Sequence, residues 1–228
     1  MTEKNHDARH LQEAIENFSC LPKDIYFENI VQYIYGVDVI PFDVKNKELY
    51  ELMKKISCAM KNVCLDIKKK PLYRQRPNEI GNAIEPFVIA ALKNVGLNAD
   101  IPHTQTGKKK YAGYPDIRIE GDPAPVYLEV KTYNLKTVGS TQRSFYFSTP
   151  HDERDKKVTE DAFHLLVGFA MEQNEDGYTP ISYKIYDLYG LRCSLKAEFQ
   201  SNNKQLYEED RLLWEWTVDS ENGPREVR

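Results

Sequence analysis

The chain has 228 residues, of which 41% are hydrophobic and 29% are charged, and its net charge is −4. This composition is that of a globular protein with a sizeable core, and it excludes a disordered chain. The slightly acidic balance excludes a protein that coats DNA by bulk charge alone, although it allows DNA binding through local basic clusters.

The N-terminal half of the chain is predicted to be largely helical. Apolar residues recur at helical spacing in two places, Leu11, Ala14, Ile15 and Phe18, and then Leu49, Leu52, Met53, Ile56, Met60, Val63, Cys64 and Ile67. A further helix is predicted over 78–95, ending at Gly96. Pro86 disturbs this helix, because an interior proline costs about 3 kcal/mol. We therefore expect either a kink there or a regular helix that begins near Glu85.

After Gly96 the apolar period changes from helical to two, which is typical of strands. Strands are predicted at 97–102, 115–120, 126–133, 144–148, 163–170 and 181–188, followed by a helix over 194–213. The predicted fold is α/β, a mixed central sheet flanked by helices and preceded by an N-terminal helical region. We expect three parts: an N-terminal helical region (1–75), a core (76–218) and a polar tail (219–228).

Two of the predicted strands carry the residues with catalytic chemistry. In the strand over 126–133, alternation directs Glu129 and Lys131 to one face and the apolar residues to the other. Asp116 begins the preceding strand, so a hairpin between the two strands brings Asp116 next to Glu129. Clustered carboxylates resist ionisation unless a hard cation such as Mg²⁺ is bound, and a neighbouring lysine then orients a water or stabilises phosphate charge. The pattern therefore favours phosphodiester hydrolysis.

These residues resemble the PD-(D/E)XK nucleases, a superfamily that includes most type II restriction endonucleases. The matching positions are Pro115-Asp116 and, after twelve intervening residues, Glu129-Val130-Lys131. The resemblance implies a restriction-endonuclease-like core in which Asp116, Glu129 and the Val130 carbonyl bind Mg²⁺ and Lys131 assists the attacking water. It also implies a catalytic carboxylate on the preceding helix, for which Glu85 is the better match and Glu79, further toward solvent, the weaker one.

Several polar side chains near these strands are candidates for DNA contacts. Phosphate contacts are predicted for Lys108, Lys109, Lys110 and Lys136, and base or phosphate contacts for Gln142 and Arg143. For each group the alternative is a solvated polar loop. His164 lies in an apolar strand and is predicted to be a core histidine.

The leading hypothesis is a type II restriction endonuclease that cuts double-stranded DNA at a specific site and leaves 5′-phosphate ends. The alternatives are a structure-specific repair or recombination nuclease of the same superfamily and a non-catalytic DNA-binding module. A palindromic site needs two active sites, so we expect a homodimer, with the N-terminal helices packed on the core or in the interface. No nucleotide-binding loop, secretory segment or membrane span is found, and the four cysteines form no CxxC pair, so a cytoplasmic location without a nucleotide cofactor is predicted.

Overall fold

The computed structural model describes residues 16, 21–73, 79–135, 145, 147, 152–196, 214–215 and 225–226. Its helices are α1 (Phe27–Tyr35), α2 (Lys47–Lys69) and α3 (Glu79–Asn94), with a 3₁₀ turn at Glu153–Asp155. Its strands are β1 (Ile25–Tyr26), β2 (Val39–Ile40), β3 (Ala99–Asp100), β4 (Ile117–Ile119), β5 (Val126–Tyr133), β6 (Ala162–Asn174), β7 (Gly177–Asp187), β8 (Arg192–Cys193), β9 (Trp214–Glu215) and β10 (Arg225–Glu226).

A mixed sheet forms the centre of the fold. Its order is β2-β6-β5-β4-β3, and β7 pairs with β6 as well. The β5–β6 and β2–β6 pairs are parallel, while the β3–β4, β4–β5 and β6–β7 pairs are antiparallel. With helices packed on the sheet, this architecture confirms the predicted α/β fold class.

Helix α2 follows the predicted apolar stripe closely. The Asn46 side chain caps its first turn by accepting hydrogen bonds from the backbone N–H groups of Glu48 and Leu49. Its buried residues are Leu49, Ile56, Ala59, Met60, Val63 and Ile67. These residues lie in one core cluster with residues of α3 and the sheet, because a helix stabilises the fold mainly through its apolar face.

Helix α3 continues through Pro86 and does not begin near Glu85. Proline has no N–H, so the carbonyl of Asn82 lacks its usual helical partner. Asn82 is exposed, so water can hydrate that carbonyl. The helix accommodates the proline because the lost bond faces solvent.

The sheet has an apolar cluster on each face. On β5, Val126, Leu128 and Val130 belong to the larger cluster with α2 and α3, while Tyr127 belongs to a second cluster with Phe27 of α1. This alternation is the one predicted from the period of two, and it determines which side chains of β5 share a face with Glu129.

The region before residue 76 is helical in its long elements but also contributes strand β2 to the central sheet.

Contacts divide the chain into two units, Asp24–Cys193 and a second one formed by Met1–Lys23 and Ser194–Arg228. In the second unit, the described strands β9 and β10 pair antiparallel, the latter within the predicted polar tail. The predicted boundaries at 75 and 218 remain predictions.

Three sequence predictions lie mostly outside the described residues: the helical repeat over 11–18, the strand over 144–148 and the helix over 194–213. Phe145 and Phe147 are described and pack in the aromatic cluster around Phe27 without belonging to a strand. Among the described helices, none combines the length and the apolar character needed to cross a bilayer.

Candidate active site

The β4–β5 hairpin brings Asp116 to β5, as the sequence predicts. Ile117 pairs with Leu128, so one further step of this antiparallel register sets Asp116 opposite Glu129. Since β4 begins at Ile117, it offers no ladder partner to the next residues of β5. The Asp116 carboxylate fills this role, and its Oδ2 accepts a hydrogen bond of 2.8 Å from the Val130 N–H. Asp116 is thereby held beside β5, at the residue just before β4 begins.

Glu129 and Lys131 lie side by side on the same face of β5. The Lys131 ammonium donates to Glu129 Oε1 at 2.5 Å. Glu129 is only 3% exposed, and its other oxygen, Oε2, is buried without a hydrogen-bond partner among the described residues. A buried acceptor without a partner costs about 1–3 kcal/mol, which is unusual for a carboxylate with a purely structural role.

Two carboxyl groups of the site are difficult to ionise. Burial first, and then the charge of Asp116, raise the pKa of Glu129 to about 7 despite the nearby ammonium groups. Burial and the charges of Asp116 and Glu129 likewise raise the pKa of Glu85 to about 7. Glu85 on α3 therefore lies close enough to these two carboxylates to interact with both. Glu79, at the start of the same helix, is exposed.

Two lysines provide positive charge at the site. Burial opposes the charge of Lys131, but Glu129, Asp116 and Glu85 together raise its pKa above the ordinary value, so it is an ammonium at neutral pH. The second is Lys157, which is 3% exposed and whose pKa burial lowers to about 8 against the pull of the same three carboxylates. The site thus combines three carboxyl groups with two amines.

The donor set fits a divalent cation of the magnesium type. The described residues include no group of three or more His, Cys, Asp or Glu side chains arranged to hold a metal by themselves. Mg²⁺ does not need such a cage, because it takes one or two carboxylates and keeps several waters. A cation would provide a partner for Glu129 Oε2, which has none among the described residues, and would favour the ionised form of Glu129.

The lysines predicted to contact DNA differ in their surroundings. Lys109 forms an ion pair with Asp100 at 2.5 Å, and Lys110 forms one with Asp155 at 3.1 Å. Lys108 is exposed and has no ion-pair partner among the described residues. Lys136, Gln142 and Arg143 lie outside the described residues, so their predicted DNA contacts remain predictions.

Sequence reasoning missed Lys157 and the buried pair formed by Tyr114 and His164. The Tyr114 hydroxyl and His164 Nδ1 are 2.5 Å apart, so His164 is a core histidine, as predicted, but one that contacts the turn before Asp116. The Lys157 ammonium donates to the Gly113 carbonyl in the same turn. No local pattern marks these residues, because each meets the turn only through the pairing of distant strands.

Comparison with known proteins agrees with this site. The sequence model of the type II restriction enzyme MjaV family matches residues 21–210. The type II restriction enzyme MjaV of Methanocaldococcus jannaschii is 36% identical over 220 residues, which cover 91% of this chain and 92% of that protein. These matches favour the restriction-enzyme hypothesis over a repair nuclease and over a non-catalytic module. The chain therefore belongs to the type II restriction enzyme MjaV family, and it is a restriction endonuclease that acts on DNA.

Proposed function

We propose that the chain hydrolyses phosphodiester bonds at a specific site in double-stranded DNA with Mg²⁺, using Asp116, Glu129 and Lys131. The observation that supports this most strongly is the buried Oε2 of Glu129, which has no hydrogen-bond partner among the described residues and lies near the Asp116 carboxylate. The Val130 carbonyl is proposed as a third metal ligand, and Glu85 as an additional carboxylate that acts on the metal or on its waters. When bound, Mg²⁺ supplies a Lewis acid that polarises a phosphate and makes a coordinated water more acidic.

The protein groups have separable roles in this proposal. The carboxylates of Asp116 and Glu129 hold the cation beside the middle of β5. Lys131 remains protonated at neutral pH, so it acts as a fixed cation and hydrogen-bond donor, not as a base. From its position beside Glu129 it orients the attacking water and stabilises charge that grows on the phosphate oxygens. Water attacks phosphorus, the bond to the 3′ oxygen breaks, and the products carry a 5′-phosphate and a 3′-hydroxyl.

Digestion of a plasmid of mixed sequence tests this function. We expect wild-type protein to give discrete fragments with Mg²⁺ and none with EDTA. We expect Lys131→Ala to lower the cleavage rate by about 100-fold or more, because it removes a donor aimed at the reacting groups. Lys54→Ala, at an exposed lysine of α2, is the matched control and should cut like wild type. No cleavage by wild type, or equal cleavage by Lys131→Ala, would refute the proposal.

Among the basic residues near the site, we propose Lys108 as a phosphate contact, because Lys109 and Lys110 already have carboxylate partners. Replacing a lysine that contacts a phosphate should weaken the binding of all DNA sequences similarly. It should also make the slope of the log binding constant against the log salt concentration less steep by about one. Binding of Lys108→Ala to duplex DNA at several salt concentrations measures this slope. An unchanged slope would exclude Lys108 as a phosphate contact.

We also propose a homodimer, since two-fold related sites are needed to cut both strands of a palindrome in one encounter. Sedimentation equilibrium should then give twice the 26.5 kDa mass of one chain. A monomer, both free and bound to DNA, would contradict this. A cytoplasmic location remains a prediction.

A further inference from the structure

Lys157 is an unusual lysine because it is almost fully buried beside the catalytic carboxylates. It lies in the segment between the 3₁₀ turn and β6, and it is 3% exposed. Its ammonium donates a short hydrogen bond of 2.5 Å to the Gly113 carbonyl. Burying an ammonium group costs free energy unless the group is hydrogen-bonded and paired with opposite charge, so the neighbours of Lys157 must offset this cost.

The residue that Lys157 contacts begins the turn that carries Asp116. This turn, Gly113 to Asp116, is held at each end and in the middle. The Gly113 carbonyl accepts from Lys157, the Tyr114 hydroxyl contacts His164 Nδ1, and Asp116 Oδ2 accepts from the Val130 N–H. Of these anchors, only Lys157 brings a charge.

The charge of Lys157 is also well placed with respect to the metal site. It interacts favourably with Asp116, Glu129 and Glu85, the same carboxylates that interact with Lys131. Lys131 is engaged by Glu129, so Lys157 is the additional cation that offsets the excess of carboxylates around Asp116. At 3% exposure it is too deeply buried to serve as a surface contact for DNA.

We propose that Lys157 is a positioning residue of the nuclease site, which holds the Gly113–Asp116 turn and balances its carboxylates so that Asp116 and Glu129 together bind a divalent cation. This inference rests on the proposed metal-dependent function and deepens it. Lys157 does not touch the metal or the reacting phosphate. It acts through the turn, so its loss should weaken metal binding even though it removes a positive charge from the neighbourhood of a cation.

Lys156 offers a matched control within the same segment. It is also buried, at 8% exposure, but its ammonium pairs with Glu153 at 2.5 Å and not with the site. We therefore compare Lys157→Met, Lys157→Arg and Lys156→Met in the full chain. Methionine fits the space of the lysine stem without its charge, while arginine keeps a charge and a donor for the Gly113 carbonyl. Mn²⁺ binding to the DNA-free protein, followed by electron paramagnetic resonance, is the readout besides cleavage.

We expect Lys157→Met to bind Mn²⁺ and to cut DNA about 10- to 100-fold less well than wild type, the usual effect of losing a group that orients a metal ligand. Lys156→Met should match wild type in both, and Lys157→Arg should recover most of the loss. Thermal unfolding of each variant checks that it is folded. If Lys157→Met does not fold, Lys157→Gln takes its place, since it removes the charge and keeps a shorter polar side chain: Mn²⁺ binding weaker by about tenfold or more supports the proposal, and wild-type binding overturns it.

The proposal fails if folded Lys157→Met binds Mn²⁺ like wild type, or if Lys156→Met loses as much as Lys157→Met. Wild type that cuts with Mg²⁺, together with an inactive Lys131→Ala and a fully active Lys157→Met, would refute the role of Lys157 and leave the proposed function intact. Wild-type protein that neither binds Mn²⁺ nor cuts DNA would refute the proposed function itself.

Discussion

Glu85 and Glu79 lie on the same helix in different environments, and the proposed role of Glu85 rests on this difference. Glu85 is half-buried and interacts with Asp116 and Glu129, whereas Glu79 is exposed. We expect Glu85→Gln to raise the Mg²⁺ concentration needed for cleavage by about tenfold or more, because it removes a charge that helps to hold the cation. Glu79→Gln, the control on α3, should leave the Mg²⁺ dependence unchanged. Equal behaviour of the two variants in a Mg²⁺ titration would contradict the assignment.

His164 is a second residue whose environment has a measurable consequence. It is fully buried against Tyr114 and Tyr127, and burial lowers its pKa from 6.5 to about 3. The folded protein therefore excludes a proton that the unfolded chain binds below pH 6.5. Stability should be lost as pH falls through the window between these two values, by up to about 1.4 kcal/mol per pH unit from this group.

Urea denaturation between about pH 7 and pH 4.5 measures this loss. The variant His164→Gln keeps an acceptor for the Tyr114 hydroxyl but does not titrate in this range. We expect its free energy of unfolding to fall less steeply with acid than that of wild type, since other groups contribute equally to both. Parallel curves for the two proteins would show that His164 does not resist protonation.

The grouping of Asp116, Glu129 and Lys131 was predictable because each of these residues belongs to a local pattern. Glu129 and Lys131 share a face through strand alternation, and one short hairpin brings Asp116 to them. Lys157 and the Tyr114–His164 contact were not predictable in this way. They depend on the parallel pairing of β5 with β6, and a single sequence carries no local pattern for the register of two distant strands.

At the scale of elements, long amphipathic segments were predictable, whereas the two-residue strands β1, β2 and β8 were not. Strand β5 has the predicted bounds, and the apolar stripe of α2 is buried or partly buried, as expected. Strand β2 has only two residues, too few to show a period, and it exists because β6 offers it a parallel partner. Helix α3 passes through Pro86 because the lost bond falls on its solvent side.

The same substitution should have opposite effects in two of these elements. A Cβ at Gly81 in α3 would meet only Thr132 Oγ1 at 4.0 Å, so Gly81→Ala should raise the free energy of unfolding by up to about 1 kcal/mol through helix propensity. Gly177, at the start of β7, has φ +132°, and a Cβ there would lie 2.7 Å from the Leu72 carbonyl oxygen. Gly177→Ala should therefore lower the free energy of unfolding by about 2 kcal/mol or more. Denaturant titration of both variants checks the signs, and a Gly177→Ala protein as stable as wild type would contradict the close approach of Leu72.

For the whole molecule, the net charge of −4 shows that function depends on where charges lie and not on their sum. Carboxylates are concentrated beside the middle of β5, where they suit a divalent cation, and two of the three lysines before β4 are paired with acidic neighbours. Composition could exclude a bulk DNA-coating protein, but it could not reveal this arrangement. Family membership and the site lead independently to the same chemistry.

The cleavage rate of Glu129→Gln in saturating Mg²⁺ tests the central claim most directly. The variant keeps the shape of the buried side chain and removes the charge that is proposed to bind the cation. Glu120→Gln, at an exposed carboxylate just after β4, is the matched control. We expect Glu129→Gln to be slower by about 1000-fold or more, since several kcal/mol of metal-derived stabilisation are lost, and Glu120→Gln to match wild type. A Glu129→Gln protein that is folded and cuts DNA at the wild-type rate would contradict the account.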